Sequence, residues 1–90
     1  MPEAKVTLIN PLGLHARAAA KLVKLAVNYE SSITISRPNK QKSADARSIL
    51  SVLELGAKQG TELLVSADGI DANEAILAAA ELIESGFGEI

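Results

Sequence analysis

Polar and apolar positions alternate at the start of the chain, with Val6 and Leu8 set against Lys5, Thr7 and Ile9. That period of two predicts a strand over 5–9. Asn10-Pro11-Leu12-Gly13 interrupts it with turn-forming residues. From Ala16 to about Tyr29 the period lengthens: Ala19, Leu22, Val23 and Ala26 form one apolar stripe, and Arg17, Lys21 and Lys24 fall on another face. Ile33 and Ile35 alternate with Ser32, Thr34 and Ser36, which predicts a second strand over 32–37. A turn at 37–40 and a short return strand at 41–44 follow. Asp45 is a candidate cap for a helix running to about Leu55, with Ile49, Leu50 and Leu53 as its apolar side and Gly56 at its end. A strand over 61–67 turns Leu63 and Val65 inward, and Ala67-Asp68-Gly69 reads as a turn. Asp71 with Glu74 has the spacing of a capping box. The apolar repeat behind it, Ala72, Ala75, Ile76, Ala79, Leu82 and Ile83, predicts a helix to Ser85, closed by Gly86.

The predicted order is β-α-β-β-α-β-α. Strands with a single apolar face pair best as an antiparallel sheet, covered on one side and wet on the other. The expected fold class is therefore α+β, a two-layer open-faced sandwich with a four-stranded antiparallel sheet and three helices on one face. No linker, repeat or low-complexity tract divides the chain, and 90 residues suit one domain over 1–90.

Composition narrows the chemistry. Cysteine is absent, which removes disulfides and thiolate metal sites, and one histidine cannot complete a metal centre. No metal and no organic cofactor are expected. A net charge of −2 and an aromatic content of 2% argue against nucleic-acid binding, which needs a basic face or stacking platforms. No apolar run is long enough for a membrane span, and the first residues do not resemble a signal peptide. A cytoplasmic protein is expected.

The single histidine, His15, stands where the 10–13 turn gives way to the first helix. The first N–H groups of a helix lack internal partners and carry the positive end of its dipole. A phosphoryl group on His15 could be held by the backbone at Ala16 and Arg17. The Arg17 side chain could add charge-assisted hydrogen bonds. Gly13 would allow the tight turn that exposes the ring. The field of the helix disfavours an imidazolium, so a neutral, nucleophilic ring is expected. The plain alternative is a loop histidine near a cap, with Arg17, Lys21 and Lys24 as a solvated basic face. No serine of the chain has the surroundings of a nucleophile elbow.

The run Gly13-Leu14-His15-Ala16-Arg17-Ala18-Ala19 resembles the active-site motif of HPr, the histidine-containing phosphocarrier family of the bacterial phosphotransferase system. The likeness continues through residues 48–69 and the last helix. The resemblance implies that His15 accepts a phosphoryl group at its pros nitrogen, Nδ1, from phosphorylated enzyme I, which draws it from phosphoenolpyruvate. His15 would pass it to an enzyme IIA domain, with Arg17 stabilising the phosphate. The protein would then be a relay and not an autonomous enzyme. Ser48 matches the serine that HPr kinase/phosphorylase modifies in some bacteria. Ala20, Lys21, Lys24, Leu50 and Leu53 are the expected docking residues for transient partners, and a monomer is expected. Two departures stand out: Ala18 replaces the family proline, and Ser51 stands where a glycine is common.

Other readings predict different behaviour. The ending "LIESGFGE" and the run "NPLGLHAR" also resemble the nitrogen-related paralogue, which relays phosphate for regulation and not for sugar uptake. A purely regulatory module would act through Ser48 and not His15. A ferredoxin-like ligand-binding domain shares the β-α-β-β-α-β order, but it leaves Gly13, His15 and Arg17 unexplained together.

Overall fold

A computed structural model describes residues 2–89. Strand β1 spans Glu3–Thr7, helix α1 Ala16–Ala26, β2 Ser32–Arg37, β3 Lys42–Asp45, α2 Ile49–Glu54, β4 Glu62–Asp68 and α3 Ala72–Glu84. A single 3₁₀ turn occupies Pro38–Lys40, and Gly86–Gly88 forms a turn with positive φ throughout. The sheet order is β1-β4-β2-β3 and every pairing is antiparallel. The expected architecture is the observed one.

Register explains why one face of the sheet is apolar. Ala4 opposes Val65, Val65 opposes Ile35, and Ile35 opposes Ala44, so one row crosses all four strands. Val6 and Leu63 extend it on one side, Ile33 and Ala67 on the other. Helix α3 packs on β1, β4 and β2, α1 packs on α3 and α2, and α2 packs on β3. The buried positions of the long helices are mostly alanine: Ala18, Ala19 and Ala26 in α1, and Ala72, Ala75, Ala79 and Ala80 in α3. Small side chains let these backbones approach closely, and Leu22, Ile76, Ile83 and Phe87 fill the remaining space.

Boundaries move where local hydrogen bonds override periodicity. Strand β1 begins and ends two residues early, although Val6 and Leu8 both point inward as expected. Helix α1 stops at Ala26, because the amides of Asn28 and Tyr29 bond three residues back and tighten the chain into turns. Asp45 does not cap α2. It pairs with Thr34 at the end of β3, and its carboxylate accepts the Arg47 N–H at 2.9 Å. Ser48 is the cap instead, accepting the Ser51 N–H at 3.3 Å. The buried side of α2 is Val52 and Leu55, while Leu50 is 71% exposed, Ile49 is exposed and Leu53 is half-buried. Apolar residues surround this short helix, so period alone could not choose its inner face.

The capping box at Asp71 is also not formed. Asp71 precedes α3, but its side chain makes no bond to that helix. Its carboxylate accepts the N–H groups of Glu30 at 3.0 Å and Ser31 at 2.9 Å, and the Ser31 hydroxyl. From the other side the Arg47 guanidinium donates to the carbonyls of Tyr29, Glu30 and Ser31. The α1–β2 connection is thus held by an acid on its amides and a base on its carbonyls.

Those bonds, the Ser31 hydroxyl first, hold the Asp71 carboxyl below the usual aspartate range. A carboxylate depressed in the fold stabilises above its unfolded pKa and loses that effect as pH falls through the folded value. Asp71→Ala is expected to lower the melting temperature at neutral pH. The gap to wild type should narrow progressively below about pH 4, the ordinary aspartate value. Thermal unfolding across pH 2–7 checks this, and a gap that widens on acidification would contradict it.

Candidate active site around His15

The approach to His15 is built by a turn and a close contact. The Gly13 N–H donates to the Asn10 carbonyl at 3.0 Å, and Asn10 Nδ2 donates back to the Gly13 carbonyl at 2.7 Å. Gly13 has φ +65°, and a Cβ there would lie 2.6 Å from the Ala57 carbonyl oxygen. The same oxygen accepts the Leu14 N–H at 3.1 Å. Only glycine satisfies both the left-handed backbone and the missing space. Leu14 is buried on one side of His15 and Ala18 on the other, so the histidine backbone has little freedom.

His15 is the N-cap of α1, with an extended backbone. Its carbonyl accepts the Ala19 N–H at 2.9 Å, and its Nδ1 accepts the Arg17 N–H at 3.3 Å. The opposite ring nitrogen, Nε2, lies 2.7 Å from Glu89 Oε2. Because Nδ1 accepts an amide proton, the hydrogen-bond pattern assigns the ring proton of a neutral His15 to Nε2. Asn10 Nδ2 also donates to Glu89 Oε1 at 2.9 Å. Both partners of Nδ2 are oxygens, which fixes the orientation of this fully buried amide. The Glu89 carboxyl is held below the usual glutamate range, chiefly by Asn10, against partial desolvation, and further by the bond from His15 and the charge of Lys21. Its negative charge opposes the field of the helix terminus at the ring.

Arg17 is exposed. With Lys21, Pro11, Leu12, Gly88 and Glu89 it lines an open cavity of about 450 Å³ beside the histidine. Lys21 Nζ donates to the Phe87 carbonyl at 2.6 Å, so this expected docking cation is already engaged within the chain. Ala20 and Lys24 are exposed further along α1. Leu50 projects into solvent from α2, and Leu53 packs partly against the core. Among the described residues no cluster of histidine and carboxylate side chains could hold a metal ion. No helix there is long and apolar enough to cross a membrane.

The structure therefore sets the His15 ring on the Arg17 backbone N–H, with the Arg17 side chain lining the neighbouring cavity, and brings in Asn10 and Glu89, which sequence reasoning missed. Glu89 lies 74 positions from His15, beyond any local spacing rule. A signal was present in Gly86-Phe87-Gly88-Glu89: the only phenylalanine, between two glycines, before a carboxylate.

A family model described as the PTS HPr component phosphorylation site matches residues 2–85. The chain belongs to the HPr family of phosphotransferase-system phosphocarriers. It is 43% identical to phosphocarrier protein HPr of Pseudomonas aeruginosa, over 99% of this chain and 98% of that one. It is 40% identical to phosphocarrier protein NPr of Proteus mirabilis, over 94% and 93%. The crystal structure of an HPr from Thermoanaerobacter tengcongensis superposes with a TM-score of 0.92 at 42% identity, covering 100% of this chain and 99% of that one.

Gly13→Ala is expected to lose roughly 1–3 kcal/mol from backbone strain in the left-handed region, with further loss from the Ala57 contact. Urea unfolding measures it. A variant as stable as wild type would show that the 10–14 turn is not rigidly specified.

Proposed function

We propose that the protein is a cytoplasmic phosphoryl relay in which His15 accepts phosphate at Nδ1 from phospho-enzyme I and passes it to an enzyme IIA domain. The observation that carries this reading is the His15 cap. Nδ1 is the ring nitrogen without the proton, it faces the first turn of α1, and among the described residues its one partner is a backbone N–H at 3.3 Å. Phosphoryl transfer asks mainly for positioning and charge stabilisation. The amides of the first turn would supply both, and the exposed Arg17 side chain would add charge-assisted hydrogen bonds. A ring that is one-quarter exposed can meet a second protein face-on. The exposed Leu12, Leu50 and Ile49 offer apolar contacts. Docking would be transient and the carrier monomeric. Kinship with both HPr and NPr leaves sugar uptake and nitrogen-related regulation as alternative circuits for the same relay.

Incubation with phosphoenolpyruvate and a bacterial enzyme I, read by intact mass, tests the relay. Wild type should gain one acid-labile phosphate and His15→Ala none. Arg17→Ala should accept phosphate roughly 10–100-fold more slowly, the equivalent of one charge-assisted hydrogen bond of about 1.5–3 kcal/mol. A phosphate retained by His15→Ala would refute the assignment.

A second reading concerns Ser48, whose hydroxyl caps α2. A phosphate there would meet the unpaired amides of that helix with a double negative charge and change the surface beside Leu50. Treatment with HPr kinase should give one acid-stable phosphate, absent from Ser48→Ala. A modification that survives in that variant would place it elsewhere.

A further inference from the structure

The segment after α3 does more than end a helix. Gly86, Phe87 and Gly88 have φ of +69°, +57° and +73°, three successive left-handed residues. Such a conformation strains a phenylalanine and persists where the surroundings overdetermine it. Here they do. The Phe87 side chain is 1% exposed in the core, Lys21 Nζ holds its carbonyl at 2.6 Å, and the Glu89 N–H closes the turn on the Gly86 carbonyl at 3.0 Å. The product of this construction is the position of one carboxylate. One oxygen of Glu89 lies 2.7 Å from His15 Nε2, and Asn10 holds the other at 2.9 Å.

We infer that Glu89 is a positioning residue for phosphoryl acceptance, keeping the ring proton on Nε2 and balancing the positive charge that the ring gains when Nδ1 binds phosphorus. The inference rests on His15 being the acceptor. In the forward step the Nδ1 lone pair forms the N–P bond while the bond from phosphorus to the donor nitrogen breaks, its electron pair leaving with the donor. Nε2 keeps its proton throughout. The phosphorylated ring is therefore cationic, with its N–H still directed at the carboxylate. Onward transfer returns the N–P electron pair to Nδ1 and restores the neutral ring. No proton enters or leaves the ring in either direction, so the site needs no general base. What it needs is a fixed anion at Nε2, the part a buried aspartate plays behind the histidine of hydrolytic triads. Asn10, fully buried, holds that anion in turn.

The test uses the full chain with potassium phosphoramidate, which phosphorylates imidazoles without a protein donor and releases ammonia. Wild type, Glu89→Gln, Glu89→Ala and His15→Ala are compared by rate of acid-labile mass gain, with folding checked by thermal unfolding. Proton–nitrogen spectra of the unphosphorylated ring are recorded alongside. Wild type should show a solvent-protected proton on Nε2. Glu89→Ala should lose that protection and Glu89→Gln should retain part of it. Both should accept phosphate more slowly, by roughly 10–100-fold for Ala, the loss of a charged hydrogen bond. A ring proton on Nδ1 in wild type, or folded variants that accept at the wild-type rate, would overturn the inference. Acceptance from phosphoramidate but not from enzyme I would count against the proposed relay alone and leave the Glu89 comparison intact. A wild type inert to phosphoramidate overturns both.

Discussion

Everything around the site depends on a histidine doing the work of a helix cap. The usual capping side chains are short oxygen acceptors. In this chain an imidazole nitrogen takes the Arg17 amide instead, at 3.3 Å, a long bond by the standards of backbone amides. A weak cap is a useful one here. The Arg17 amide that Nδ1 touches would meet a phosphate oxygen when that nitrogen carries phosphorus, so the helix terminus exchanges one acceptor for a better one. The capping function and the proposed chemical function draw on the same first turn of α1.

For that exchange the ring must stay in place through both states, and the fold holds it from three directions. The Gly13 approach to Ala57 fixes the chain before it. Buried Leu14 and Ala18 fix the backbone on either side. The Gly86–Gly88 turn, anchored by Phe87 and Lys21, brings Glu89 to its far nitrogen. These supports come from the first turn, the loop before β4 and the segment after α3, so the sheet and the two long helices act mainly to bring distant pieces of chain to one end. An alanine-lined interface lets them do so with few large side chains. That leaves the one phenylalanine free to serve as the anchor of the strap.

Much of this was legible in the sequence, and the reasons are local. Alternation located β1, β2 and β4 because the sheet has one wet face, and the turn at 37–40 placed the return strand β3. The Pro-Leu-Gly-Leu-His-Ala-Arg run located the cap because a turn, a cap and a first helical turn are contiguous. Asp45 and Asp71 were misread for the same reason in reverse. Each has the sequence context of a helix cap, yet the structure directs one carboxylate to Arg47 and the other to the loop at Glu30 and Ser31. An acidic side chain before a helix has several amides within reach, and tertiary structure decides among them. Glu89 was invisible because nothing local ties it to His15. Ile49, Leu50 and Leu53 were read as the apolar side of α2, where Val52 and Leu55 are buried, because that helix is too short and too apolar all round for period to name its inner face.

Ala18 shows how far the site is defined by its neighbours. Proline at this position of the family motif would fix φ and remove one unpaired N–H from the first turn. Alanine does neither, yet α1 still begins at Ala16. The start is set by the His15 carbonyl accepting from Ala19 and by the fully buried Ala18 methyl. Neither of these requires the ring of a proline. What alanine changes is the donor count. The first turn keeps one more backbone N–H, close to where the phosphate oxygens would lie, in exchange for less rigidity. The Glu89 contact holds the far side of the ring whichever residue stands at position 18.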